Sequence, residues 1–453
     1  MAESTNTIQK EIQDREAKEK RELRRKRRRR NQILAILTLL LFVCLIVAII
    51  GTGVWYIMHR GAGKPAGGGV STTEETTIDN LFESEDEIVK PEETNTEPTL
   101  TPEQQLDAIL DEAFISQMPL EDKVAGLFIV TPESITGVNK AVKAGDGTKD
   151  ALNKYAVGGI VYASQNMQDA AQFTEMVSNT TLYSRYALFT CVAEEGGSST
   201  SLEKAGLADK TDSEQAMGTG ADAAKAYEAS GKIADSMLTY GLNLNFAPVA
   251  DLATVQDSYL KDASYGSDAA LAASFVTSAV QGMQEKGISS CLKYFPGAAD
   301  MKEDPAKGMA SSERTAEQLA AEEFTVFKAG IDAGADMVMV GHVAVPALTG
   351  DNTPCSLSSA VITDKLRNEL GFNGVIITDA MNKGAITEYY EADEAAILAL
   401  KAGCDMILCP DDFEKAYNGV LEAVQNGTIS EERINDSLRR IYRIKYASMM
   451  PEE

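Results

Sequence analysis

Apolar positions divide the chain into three stretches with different patterns. Residues 31–58, "NQILAILTLLLFVCLIVAIIGTGVWYIM", contain no ionisable side chain except Cys44 and Tyr56. That exceeds the roughly 20 apolar residues a helix needs to cross a bilayer, so a transmembrane helix is expected there. Residues 59–103 are rich in Gly, Thr, Pro and Glu with few large apolar residues, the composition of a flexible linker. From residue 104 to 453, short runs of Val, Ile, Leu and Phe alternate with longer helical patterns, which predicts repeated βαβ units and a parallel sheet.

Strands are expected at "LFIV" (127–130), "GGIVYA" (158–163), "LFTCVA" (188–193), "LNLNFAPV" (242–249), "SSCLKYF" (289–295), "MVMVGH" (337–342), "GVIITDA" (374–380) and "MILCP" (406–410). Eight strands with intervening helices predict an α/β fold, a (β/α)8 TIM-type barrel. The alternative is an open doubly wound sheet, but no G-x-G-x-x-G turn follows any of these strands.

Charge sharpens the division. Residues 1–60 hold 13 of the 42 Lys/Arg and 6 of the 68 Asp/Glu, leaving 29 basic and 62 acidic residues for the remainder. The basic run "RRKRRRR" (24–30) directly precedes the apolar stretch. By the positive-inside rule residues 1–30 stay cytoplasmic and the C-terminal barrel is extracellular, giving a single-pass protein of the cell membrane. The stretch is longer than a signal-peptide core of roughly 7–15 residues, which favours an uncleaved anchor. The acidic body is repelled by phosphates and argues against nucleic acid. Of six cysteines, Cys191, Cys291 and Cys409 fall in apolar runs, Cys44 lies in the anchor, and Cys355 and Cys404 complete the set; neither a disulfide scaffold nor a metal site is expected.

In a barrel of this kind, side chains from several strands converge only at the C-terminal mouth. The strand ends bring Glu194, Glu195, Asp251, Lys293, Asp300, His342, Asp379 and Asp411. Carboxylates with one lysine suit a polyhydroxylated substrate. The chain has only two histidines, His59 and His342, so no metal and no cofactor is expected, an all-carboxylate Mg²⁺ or Ca²⁺ site being the alternative.

The motifs at these positions carry a resemblance. "MPLEDKVAGLFIV", "VGGIVYASQN", "AEEGG", "LNLNFAPVADL", "ASYGSD", "KYFPGAAD" and "PCSLSSAVITDKLRNELGFNGVIITDAM" resemble, in order from about residue 110 to 445, the catalytic barrel of glycoside hydrolase family 3, in particular its single-domain bacterial β-N-acetylhexosaminidases. The resemblance implies a hydrolase of terminal β-N-acetylhexosaminides in peptidoglycan or another glycan, with Asp379 of "TDAM" as nucleophile. A retaining glycosidase sets that carboxylate about 5–5.5 Å from a proton donor. In the single-domain relatives the donor is a histidine on the loop after the fifth strand; here that loop, "DMKEDPAKGMASSERT" (300–315), has none. Asp300, Glu303 and Asp304 are the substitute candidates, with Glu313 nearby. Lys293, Tyr294, Glu194, Glu195, Asp251 and His342 are the expected substrate-binding residues. Ala193, Ser198 and Ala263 stand where the family carries Asp, Arg and Arg, and Tyr294, Ala298 and Ala299 where it carries His, His and Gly. The alternative is therefore a catalytically impaired barrel that binds a glycan or a protein partner, the partner being unknown.

Overall fold

The structure, a computed structural model, describes residues 106, 108–111, 114–198, 200–297 and 300–447. The expected cytoplasmic segment, transmembrane helix and linker (1–30, 31–58 and 59–103) lie outside the described residues, as do Ala298 and Ala299. Among the described residues no helix is long and apolar enough to cross a membrane. The chain separates into two units, Met1–Thr94 and Asn95–Glu453, and every described residue belongs to the second.

Eight parallel strands close into a barrel in sequence order: β1 (Phe128–Val130), β2 (Gly159–Val161), β3 (Phe189–Val192), β4 (Leu244–Asn245), β5 (Ser289–Phe295), β6 (Met337–Val340), β7 (Val375–Ala380) and β8 (Met406–Leu408). Closure runs through Phe128 opposite Ile407 and Ile129 opposite Leu408. The expected (β/α)8 barrel is thus the fold. Strands buried on both faces need no polar alternation, which is why near-continuous apolar runs mark most of them; β4 and β5 instead bury Asn245, Ser290 and Lys293.

Most expected strands overshoot the observed ones at one or both ends, most of all the fourth. Beyond Asn245 the ladder continues only in part: Phe246 N still bonds the Val192 carbonyl and Val249 bridges to Lys293, but Pro248 has no N–H, and the Val249 N–H is taken by the Glu214 carboxylate, 3.2 Å from each oxygen. Asn245 then bridges β4 to the turn after β3, its amide accepting from Glu194 N at 2.9 Å and donating to Glu194 O at 3.0 Å.

The principal helices are α1 (Leu120–Ala125), α2 (Asp146–Lys154), α3 (Ala170–Tyr183), α4 (Ala224–Thr239), α5 (Ala269–Gln284), α6 (Glu323–Asp332), α7 (Ala360–Glu369), α8 (Ala392–Ala402), α9 (Phe413–Gln425) and α10 (Glu431–Tyr446). Their starts are written locally. Asp169, Asp268, Asp412 and Ser430 each accept a backbone N–H three residues on, a cap contributing about 1 kcal/mol.

The N-terminal end of the barrel is closed by a saturated ion cluster. Asp405, fully buried before β8, accepts from Arg367 Nη2 at 2.7 Å, Arg440 Nη1 at 3.0 Å, Ser437 Oγ at 2.8 Å and Ile376 N at 2.9 Å.

Candidate active site

Two strands carry register shifts at their mouth ends, between Leu292 and Phe295 in β5 and between Ile377 and Ala380 in β7. Such irregularities re-aim side chains, and these two bracket Lys293, Tyr294 and Asp379. The mouth they open onto is a cavity of about 280 Å³ lined by Glu195, Tyr259, Tyr294, Asp304, His342, Asp379 and Lys383, among others.

Asp379 is 6% exposed. Its Oδ1 accepts the Ala380 N–H at 2.7 Å and its Oδ2 accepts from Lys383 Nζ at 2.7 Å. Burial works to raise its pKa, but the Lys383 ammonium and the two hydrogen bonds outweigh it, so the carboxyl sits below its ordinary value and is ionised. His342 is buried and its pKa is pulled down by that burial. Its Nε2 lies 3.0 Å from the Ala380 carbonyl, which can only accept, so Nε2 carries the proton and Nδ1 accepts from Ser356 Oγ at 2.7 Å. Neutral at pH 7, with both ring nitrogens engaged, His342 is a wall of the site and no proton donor. Lys383 is the cation that keeps Asp379 charged.

Of the remaining expected residues, Glu195 and Tyr294 line the mouth. Lys293 lies beneath it, buried and ion-paired with Glu195, an arrangement that raises its pKa despite burial. The Tyr294 ring lies between two ammonium groups, Lys293 and Lys383 each 5.4 Å from its centroid. Glu194 and Asp251 are not among the lining residues. Glu194 turns to the outer side of the β3 turn, where Oε1 accepts from Ser201 N at 2.5 Å and Leu202 N at 2.7 Å. Asp251 is 1% exposed, accepts from Leu252 N at 2.8 Å, and receives Ser264 Oγ on its carbonyl at 2.7 Å. Asp411 lines a separate cavity with Tyr390 and Lys415.

The loop after β5 crosses the mouth as a strap tied at both ends. Asp300 accepts from Ser312 Oγ at 2.6 Å and Glu313 N at 3.1 Å, and Arg314 pairs with Glu322 at 2.6 Å and Glu323 at 2.8 Å. Its middle rests on the segment after β7: a Cβ on Gly384 would come within 2.8 Å of Gly308 N and 2.9 Å of the Lys307 carbonyl carbon. The three candidate acids separate here. Asp300 is spent on closing the loop, Glu303 is exposed, and Asp304 lines the cavity with Asp379 while accepting Ala306 N at 2.9 Å.

Two titratable lining residues were not expected from the sequence. Lys383 stands four residues after Asp379, a spacing that signals an ion pair on a helix but not after a strand. Tyr259 arrives from the loop after β4, whose path no periodicity encodes. Its phenol is driven well above the ordinary value by burial and by Asp251, Tyr294, Asp379 and Asp304. Among the described residues, no group of three or more His, Cys, Asp and Glu side chains could hold a metal ion.

Comparison with known proteins places the fold in a family. Residues 119–444 match the model of the glycosyl hydrolase family 3 N terminal domain. The chain is similar to a beta-hexosaminidase of Stenotrophomonas maltophilia, 30% identical over 284 residues, covering 60% of this chain and 82% of the relative. It is similar to another from Xanthomonas campestris pv. campestris, 32% identical over 270 residues, covering 57% and 79%. Among solved structures, a glycoside hydrolase family 3 beta-N-acetylglucosaminidase from Paenibacillus sp. superposes with a TM-score of 0.69 at 32% identity, over 74% of this chain and 64% of that one. A beta-N-acetylhexosaminidase from Beutenbergia cavernae superposes with a TM-score of 0.65 at 25% identity, over 73% and 99%. The family model spans the whole barrel, and the chain belongs to glycosyl hydrolase family 3.

Proposed function

We propose that the protein is a membrane-anchored extracellular glycosidase that removes terminal β-N-acetylhexosaminides from wall-type glycans, with Asp379 as nucleophile and Asp304 as proton donor. One observation carries the reading: an ionised, buried aspartate at the end of β7 and a strap carboxylate line the same small cavity. At about 280 Å³, just below the roughly 300–1,000 Å³ of ligand pockets, the cavity suits one sugar ring and therefore action at a chain end. The relatives named above as hexosaminidases supply the substrate class, and the 31–58 apolar run with its basic flank supplies the anchor.

In the first step Asp379 Oδ attacks the anomeric carbon, the glycosidic C–O bond breaks, and Asp304 gives its proton to the departing oxygen. Water then attacks the glycosyl ester, returning its proton to Asp304 and freeing Asp379. Lys383 has to leave the attacking oxygen for this to proceed, since an ion-paired carboxylate is a weaker nucleophile. Turnover of hexosaminides with good and poor leaving groups tests the assignment. Asp304→Ala is expected to lose roughly 10²–10⁴-fold on the poor leaving group, with azide restoring turnover of the good one. No turnover by the wild-type chain across hexosaminides and glucosides would sink the enzymatic reading.

The second reading is a barrel that binds a glycan or a partner protein without turnover. The Lys383–Asp379 ion pair and the strap without histidine favour it. Calorimetry with peptidoglycan fragments distinguishes the two: equal affinity for the wild type and Asp379→Asn, with no hydrolysis by either, supports binding alone.

A further inference from the structure

On the outer side of the β3 turn, away from the mouth, a second cavity of about 240 Å³ opens between residues 200–211 and α4. Its floor holds two buried polar side chains. Thr200 is 4% exposed, and its Oγ1 has no hydrogen-bond partner among the described residues. Glu194 is 3% exposed; Oε1 takes two backbone N–H groups and Oε2 receives none among the described residues. A buried hydroxyl without a partner forfeits the hydrogen bond it makes in water, so a ligand that bonds it has free energy to recover.

The surroundings choose the ligand's charge. Glu203, Asp209 and Asp235 line the same cavity against one lining cation, Lys232, while Lys286 from outside it pairs with Asp235 at 3.1 Å. The side walls are carbon, from Leu202, Ala208 and Ile233. A bare metal ion is disfavoured: no three acidic, His or Cys side chains converge here or elsewhere among the described residues, and Glu194 has already given one oxygen to the backbone. At roughly 30 Å³ per water, the space exceeds what one or two waters fill.

We propose that this cavity is a binding site for a primary alkylammonium group, such as the side-chain amine of a lysine-like residue. The ammonium donates to Glu194 Oε2 and Thr200 Oγ1 while its methylenes lie against Leu202 and Ile233. The pH dependence follows from the groups that face Glu194. Burial and Glu203 raise its pKa to about 7, against the Leu202 and Ser201 N–H bonds and Lys204, which lower it; Asp209, Lys232 and Asp235 complete the charged surroundings. Binding of a cation therefore requires loss of the Glu194 proton, so affinity rises with pH through about 7 and falls up to about tenfold per unit below it.

The test titrates the full-length chain with n-butylammonium by calorimetry, with n-butanol and potassium chloride as controls for the alkyl chain and the charge alone. Saturable binding of the amine only, stronger at pH 8 than at pH 6, is expected. Glu194→Gln keeps an acceptor for Ser201 and Leu202 and is expected to weaken binding at least about tenfold; Thr200→Val is expected to weaken it several-fold. Lys232→Glu, at an exposed position of α4, is expected to tighten it. No saturable heat, equal affinity in Glu194→Gln, or weaker binding in Lys232→Glu would each overturn the proposal and leave a water-filled cavity.

Discussion

The two ends of the barrel each bury an aspartate, and they treat it differently. At the N-terminal end Asp405 is fully enclosed, with Arg367, Arg440, Ser437 and Ile376 N all bonded to it. At the mouth Asp379 has one lysine, whose own side chain is 26% exposed, and one backbone N–H. A carboxylate whose lone pairs are all committed can only hold structure together. One kept ionised by a single movable cation beside a cavity retains capacity for an electrophile. Saturation, more than burial or charge, separates the structural acid from the chemical one.

The largest expected effect lies at the closed end. Asp405→Ala strands Arg367, Arg433 and Arg440 around an empty centre and is expected to cost about 3–5 kcal/mol, read by urea denaturation at pH 7. A loss under about 1 kcal/mol would show that the cluster is not the clasp described here.

Glu194 comes next, because its contribution depends on pH. Its folded pKa, about 7, lies above the unfolded value of 4.5, so the native state binds more protons between those limits and stability falls as pH rises through the window. The full shift corresponds to up to about 3 kcal/mol. Glu194→Gln is expected to flatten that slope, so its stability relative to wild type grows between pH 5 and pH 8. Parallel profiles would rule out a buried, raised carboxyl at this position.

A smaller effect is expected where the strap meets the barrel. Gly384→Ala pushes a methyl group against Gly308 and Lys307, an overpacking expected to cost roughly 1–3 kcal/mol, relieved by lifting the strap. Limited proteolysis should cut within residues 300–308 faster while the barrel's melting temperature changes little. The smallest change in stability belongs to Asp379→Asn. Its amide still accepts the Ala380 N–H, and Lys383, whose side chain is 26% exposed, can turn toward the cavity. Its cost is expected to be within about 1 kcal/mol, a fraction of the Asp405 effect.

How much of this was legible in the sequence depends on how local each signal is. The positions of all eight strands were, most of them because a parallel strand buried on both faces is a near-continuous apolar run. Their ends were not: nothing in "LNLNFAPV" announces that Glu214, 35 residues before Val249, takes its N–H. Asp379 was legible from its motif and its place at the end of β7. The neighbouring pair Glu194 and Glu195 was read as one group, yet the first faces the outer cavity and the second the mouth. Adjacent residues on an extended chain point to opposite sides, a consequence available without the structure. Lys293 looked like a mouth residue because it ends a strand, whereas its partner Glu195 draws it beneath the floor. Of the strap acids, only three-dimensional placement separates Asp304 from Asp300 and Glu303, since the path of a long loop is set by distant contacts such as Gly384 against Gly308.

The most direct measurement is covalent. Incubation of the chain with an activated 5-fluoro N-acetylhexosaminide, which keeps the 2-acetamido group, followed by peptide mass mapping, reads which carboxylate bonds to the sugar. A nucleophile at Asp379 gives a single adduct on the peptide containing "TDAM", absent from Asp379→Asn. An adduct on another carboxylate, or none while the substrate is hydrolysed, contradicts the assignment of Asp379.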